Sequence, residues 1–249
     1  MSNSPKVVIV TGASQGIGAG LVQGFRARGD RVVANSRSIK QGNDPHVLAV
    51  PGDIADPETA ARVVAAAVER FGRVDTLVNN AGIFIPKPFI DYAAEDFARV
   101  FGVNVAGFFH VTQAAARRML AQGAGHIVTI TTTLADQPLQ SVPAAMTALS
   151  KGGLNAVTRS LAIEFAGRGV RVNAVSPGII ETPMHAAASH AFLASLHPVG
   201  RIGAVEEIVD AVLYLDKAEF VTGEVLHVDG GQHAGHWSQS QSAPREAAA

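Results

Sequence analysis

Four apolar residues, Val7–Val10, run without interruption into Thr11-Gly12-Ala13-Ser14-Gln15-Gly16-Ile17-Gly18, and a helical stretch follows at once. A strand that ends on glycines at this spacing and restarts immediately as a helix has few structural solutions. Gly12 takes the tight turn, Gly16 lets backbone approach a pyrophosphate, and Gly18 allows the helix to pack closely on the strand. The amides of the helix N-terminus, around Ser14, Gln15 and Ile17, are then free to hold phosphate. A plain tight turn is the alternative, and the strand before it and the helix after it argue against that.

The same alternation continues along the chain. Short apolar runs at Lys6–Val10, Arg31–Ala34, His46–Val50, Thr76–Asn79, His126–Thr131, Arg171–Val175 and Val225–Val228 read as strands. Helical patterns lie near Gly16–Arg28, Pro57–Phe71, Ala94–Leu120, Ala144–Ala166 and Val205–Leu215. Strands separated by helices imply parallel pairing with right-handed crossovers. The expected fold is α/β: one doubly wound, Rossmann-type domain over residues 1–232, with a seven-stranded parallel sheet covered by helices on both faces. Residues 233–249 (HAGHWSQSQSAPREAAA) read as a C-terminal tail that crosses to a neighbouring subunit or stays mobile.

In such a sheet the residue that meets the adenosine ribose follows the second strand. An NAD site places a carboxylate there; this chain has Asn35-Ser36-Arg37. Ser36 can donate to a 2′-phosphate, and Arg37 offers the planar fork that suits one. NADP(H) is therefore favoured over NAD(H).

Composition narrows the function classes further. With no cysteine, the chain has no disulfide, thiolate nucleophile or Cys-ligated metal. Its 20 basic and 21 acidic residues give a net charge of −1 and no basic stripe of the kind that binds nucleic acid. The polar start, Met1–Lys6, precedes too short an apolar run for a secretory signal or a membrane span. A soluble, cytoplasmic protein is expected. The pair His233-x-x-His236 offers only two ligands, and no metal is assigned.

Taken together, the ordered motifs resemble those of the short-chain dehydrogenase/reductase family, compact type. They are the Thr11–Gly18 turn, Asp53 in Gly-Asp-Ile, Asn79-Asn80-Ala81-Gly82, Asn104 in Val-Asn-Val-Ala-Gly, Ser150-Lys151, Asn173 through Thr182, and Val228-Asp229-Gly230-Gly231. The resemblance covers about Lys6 to Gln232. It implies that Asp53 and Ile54 border the adenine and that Asn80, Ala81 and Gly82 line the ribose side. It likewise implies that Pro177, Gly178, Ile180 and Thr182 meet the nicotinamide end. Gly82 and Gly178 would leave room for cofactor. Asn104 would bind a helix-borne carbonyl and a water in a proton relay, and Lys151 would clamp the nicotinamide ribose.

One departure bears on the chemistry. The family's acid/base pair is Tyr-x-x-x-Lys on one helical face, and here Thr147 stands four residues before Lys151. The only tyrosines are Tyr92 and Tyr214. An aliphatic hydroxyl is too short and too weak an acid to replace a phenol, although it can orient water. The family's serine after the fifth strand is replaced by Thr132 or Thr133. The catalytic candidates are Asn104, Thr132, Thr147 and Lys151, with His185, Asp136 and Gln137 as pocket candidates and His185 as a replacement acid. An NADP(H)-dependent carbonyl/alcohol oxidoreductase with a modified acid/base set is the leading reading. The alternatives are a catalytically silent dinucleotide binder and a non-redox enzyme using the same pocket. The Ala144–Ala166 pattern is apolar on more than one face and so needs a partner beyond its own sheet; the family resemblance implies that this helix and the Asn104 helix build a four-helix interface, and the expected assembly is a homotetramer, with a dimer as the alternative.

Overall fold

The computed structural model describes residues 5–183 and 190–235. They build one seven-stranded parallel sheet in the order β3-β2-β1-β4-β5-β6-β7, from β1 (Val7–Thr11), β2 (Arg31–Ser36), β3 (Val47–Pro51), β4 (Thr76–Asn79), β5 (Gly125–Ile130), β6 (Val170–Pro177) and β7 (Val225–Val228). The helices are α1 (Gly16–Ala27), α2 (Pro57–Phe71), α3 (Ala94–Phe101), α4 (Gly107–Gln122), α5 (Ala145–Ala166), α6 (His190–Ser195) and α7 (Val205–Lys217).

Strand periodicity decides which layer each side chain joins. Val7 and Ile9 of β1 pack with Leu77, Ile127 and Val172 beneath α2, α4 and α5. Val8 and Val10 point the other way, with Val32, Val78 and Val128, beneath α1 and α7. Both sets are fully buried, and each such side chain contributes about 1.5–3 kcal/mol through burial. Sheet order reverses between β1 and β4, so the C-terminal strand ends open a crevice there.

The α2 helix keeps the bounds its sequence predicts. Asp56 caps it by accepting from the amides of Glu58 and Thr59, Pro57 occupies the first turn, and Gly72 ends it in a left-handed conformation. β6 runs two residues beyond its predicted end, because Ser176 and Pro177 continue the ladder beside His227 and Val228. The predicted helix over Ala94–Leu120 is interrupted: α3 and α4 are joined by a π-turn at Gly102–Ala106. α6 was not foreseen; six residues are too few to display helical periodicity.

Candidate active site

The crevice is a cleft of about 760 Å³ along the C-terminal ends of β1 to β6. The turn after β1 forms its centre. Gly12 has φ +66°, and a Cβ there would lie 2.9 Å from the Cα of Ala81. At Gly18 a Cβ would lie 2.2 Å from the carbonyl oxygen of Gly12, which is the close helix-on-strand contact the glycine spacing predicts. Asn80 locks the turn to the end of β4, donating from Nδ2 to the carbonyls of Thr11 and Gly12 at 2.9 and 3.2 Å. Thr11 Oγ1 accepts from the amides of Asn80 and Ala81. The Asn80 side chain is thus committed to the protein, while Ser14, Gln15, Gly16, Ile17, Ala81 and Gly82 line the cleft beside it.

At the β2 end, Asn35 turns inward and donates to the carbonyls of Val50 and Gly52. Ser36 and Arg37 are left to face the cleft, with Asp53 and Ile54 opposite. Ser36 Oγ is buried without a hydrogen-bond partner among the described residues. A buried hydroxyl of this kind costs stability unless a ligand pairs with it. Arg37 is exposed and forms no ion pair among the described residues.

The far end of the cleft holds the hydroxyl-bearing residues. Lys151 and Thr147 reach it from consecutive turns of α5, and Thr132 reaches it from the end of β5. Lys151 Nζ donates to the carbonyls of Thr131 (3.0 Å) and Ile130 (3.3 Å). Its burial, with no carboxylate paired to it among the described residues, pushes its pKa down to about 8. Thr147 is buried at the cleft wall. Thr132 and Thr133 differ in position. Thr132 lines the cleft, whereas Thr133 is fully buried and donates to Asp229 at 2.9 Å.

Asn104 sits in the π-turn and clasps the backbone of one residue, through its N–H and its carbonyl. Its Oδ1 accepts from the amide of Ile83 at 2.9 Å, and its Nδ2 donates to the Ile83 carbonyl at 3.1 Å. The carbonyl it binds therefore belongs to the loop after β4 and not to a helix. Nδ2 also reaches Ser150 Oγ, which ties that loop to α5 one residue before Lys151.

Pro177, Gly178, Ile180 and Thr182 line the cleft. Gly178 serves packing more than cofactor room, since a Cβ would lie 2.7 Å from His197 Nε2 and 2.9 Å from the Asp229 Cα. His197, which sequence reasoning did not single out, is buried. It accepts from the Ile179 amide at Nε2 and donates from Nδ1 to Leu193, so it pins this segment to α6. No local pattern around it signals that role. Asp136 and Gln137 are not among the cleft-lining residues; Asp136 instead contacts Asn155 and His227. His185 lies outside the described residues, as do His236 and the rest of the tail. His233 pairs with Asp229 and stacks on His227.

Comparison with known proteins agrees with this geometry. A family model described as Enoyl-(Acyl carrier protein) reductase matches residues 12–233. The chain is 40% identical over 242 residues to the granaticin polyketide synthase putative ketoacyl reductase 2 of Streptomyces violaceoruber, covering 91% of this chain and 96% of that protein. Among solved structures, a 3-ketoacyl-(acyl-carrier-protein) reductase from Brucella melitensis complexed with NADH superposes with a TM-score of 0.86 at 32% identity, covering 93% of this chain and all of that one. ElxO with NADP bound gives a TM-score of 0.88 at 26% identity over the same shares.

Proposed function

The chain belongs to the short-chain dehydrogenase/reductase family and is an oxidoreductase of that type, and we propose that it uses NADP(H) to interconvert a small carbonyl compound and its alcohol. The observation that carries the cofactor choice is the unpartnered, buried Ser36 Oγ beside exposed Arg37. A 2′-phosphate pairs with both, and a bare 2′-hydroxyl finds no carboxylate at positions 35–37, at the end of β2. The glycine turn leaves amides that would hold the pyrophosphate, and Lys151 would hold the nicotinamide ribose, as the family resemblance implies.

A bound nicotinamide supplies or takes up the hydride. The residues of the chain do the rest. Thr132 and Thr147 orient the substrate oxygen with their hydroxyls. Lys151, shifted to about 8 by burial, releases a proton more readily than a surface lysine does. The proton crosses to the substrate oxygen by way of the Thr147 hydroxyl or a water in the space a phenol occupies in the family. Asn104 positions the loop after β4 against α5 and so steadies Lys151.

The absence of the phenol favours a second reading, a dinucleotide binder that does not turn over. Fluorescence titration with NADPH and NADH, followed by a carbonyl panel read at the nicotinamide absorbance, separates the two. Tighter NADPH binding with turnover supports the proposal; NADPH binding without turnover supports the second reading, and tighter NADH binding refutes the Ser36/Arg37 argument.

For assembly we propose a homotetramer, with a dimer as the alternative. Leu149 and Ile163 on α5 and Phe109 on α4 are exposed on the helices that would pair, and Tyr214 on α7 and Phe220 after it are exposed as well. A cytoplasmic location is proposed from the cysteine-free composition. No helix among the described residues is long and apolar enough to cross a membrane.

A further inference from the structure

The substrate end of the cleft is unusual in what surrounds its hydroxyls. Phe84 reaches it from the loop after β4, Leu134, Val142 and Pro143 from the segment between β5 and α5, and Phe192 and Leu193 from α6. Three separate elements thus converge on it with hydrocarbon. Phe192 is 49% exposed although it lines the cleft, which leaves an apolar face open toward that space. The polar groups there are the hydroxyls of Thr132, Ser141 and Thr147 and the ammonium of Lys151.

Charge is distributed unevenly along the same cleft. Arg37 and Asp53, its other charged lining residues, follow β2 and β3. β2 lies three strands from β5 in the sheet, about 14 Å at ordinary strand spacing. Lys151 already spends hydrogen bonds on two carbonyls. Among the described residues, no further Lys, Arg, Asp or Glu lines the cleft. An ionised carboxylate or phosphate placed against this wall would lose its hydration without gaining a dedicated partner among the described residues, and a polyol would bring more hydroxyls than the few polar groups there can pair.

Resting on the redox reading above, we propose that the substrate is a neutral ketone, or the corresponding secondary alcohol, with a single oxygen on a hydrocarbon frame. Its oxygen faces Thr132, Thr147 and Lys151. Its frame lies between the Phe84/Leu134/Val142 wall and the Phe192–Leu193 face of α6. The wall supplies affinity by burial, and the hydroxyl cluster supplies orientation, the division of labour found in small-molecule sites.

The test is calorimetric binding to the full chain saturated with NADP, using a matched pair, 4-phenyl-2-butanone and 2-oxo-4-phenylbutanoate, with D-glucose as the polyol. The ketone is expected to bind at least tenfold more tightly than the keto acid or the sugar. Phe192→Asp, at a solvent-exposed position, should weaken ketone binding at least tenfold and leave NADPH affinity within twofold; Phe192→Leu should restore ketone binding. Preference for the keto acid or glucose, failure of all three to bind, or indifference of the ketone to Phe192→Asp would overturn the proposal. A parallel assay with NADPH keeps the two readings apart. Ketone binding without reduction defeats the redox reading and retains this substrate class, whereas preferred reduction of the keto acid does the reverse.

Discussion

The ammonium of Lys151 is tied to the carbonyl oxygen of Thr131 at 3.0 Å, so the helix that brings a cation to the substrate end of the cleft is clamped to the end of β5. Burial without a described counter-carboxylate lowers its pKa to about 8, and the acid form predominates only below that value. NADPH-linked carbonyl reduction should therefore fall as pH rises through about 8, read as kcat/KM against pH. Lys151→Arg keeps the charge but cannot release the proton, so it should cut the rate about 100-fold and abolish the limb. A limb unchanged in Lys151→Arg would assign the titration to another group.

Thr147 lies one helical turn before Lys151 at the cleft wall, where a larger side chain projects into the cleft. Thr147→Tyr restores a phenol on the same face as Lys151 and should raise kcat by about 100-fold, the lower end of what a positioned acid supplies. Steady-state kinetics on both proteins checks this. A silent wild type beside an active Thr147→Tyr would identify the natural chain as a binder.

Arg37 is expected to act on the phosphate alone. Loss of a charge-assisted bond of about 1.5–3 kcal/mol should weaken NADPH binding about 10- to 100-fold in Arg37→Ala, with NADH within twofold. Equal losses for the two cofactors, measured by fluorescence titration, would contradict the assignment.

How legible these features were in the sequence depended on the range of the interactions behind them. The contact of Gly18 with Gly12 and the bounds of α2 rest on neighbours within a few residues, such as Asp56 with Thr59, and both could be read directly. Thr132 and Thr133 could not be told apart, because the difference is made by Asp229, 96 positions from Thr133. Asp136 was placed in the pocket by proximity in sequence, and its actual contacts, Asn155 and His227, come from other elements. Phe192 belongs to a helix too short to announce itself, and His197 acts through a backbone amide 18 residues away.

A buried ionic network at the opposite end of the sheet governs acid stability. His126 is buried and neutral, donating from Nδ1 toward Asp216 and accepting from Asn173 at Nε2. Desolvation, only partly offset by Asp216, lowers its pKa to about 4. Burial raises the Asp216 pKa, but hydrogen bonds from His126, Lys6 and Thr76 outweigh this and hold it below the usual range. Between about 6.5 and 4 the unfolded chain binds a proton at His126 that the folded chain refuses. Stability should therefore be full above about 6.5 and fall with decreasing pH, by on the order of 3 kcal/mol at pH 4. Asp216 adds a further loss at lower pH. Urea unfolding midpoints from pH 7.5 to 4.5 should show the slope, and His126→Asn should flatten it; an unaltered slope would exclude His126 as its source.

Assembly can be broken one interface at a time. Ile163 is 83% exposed on α5, and Phe220 is fully exposed after α7. Ile163→Glu and Phe220→Asp should each convert a tetramer into dimers in analytical ultracentrifugation, and the double variant should yield monomers. A wild-type monomer would refute the proposal.

The π-turn at Gly102–Ala106 makes the site depend on residue count as well as residue type. Each residue in a helix advances the face by about 100°, so deleting a neighbour of Asn104 from this segment would swing Asn104 away from the Ile83 backbone while leaving every remaining side chain unchanged. Substitutions at Val103 or Val105 alter packing; a single-residue deletion alters phase. This stretch is therefore sensitive to changes in length, and insertions or deletions across 102–106 should uncouple the loop after β4 from Lys151 more thoroughly than substitutions at Val103 or Val105.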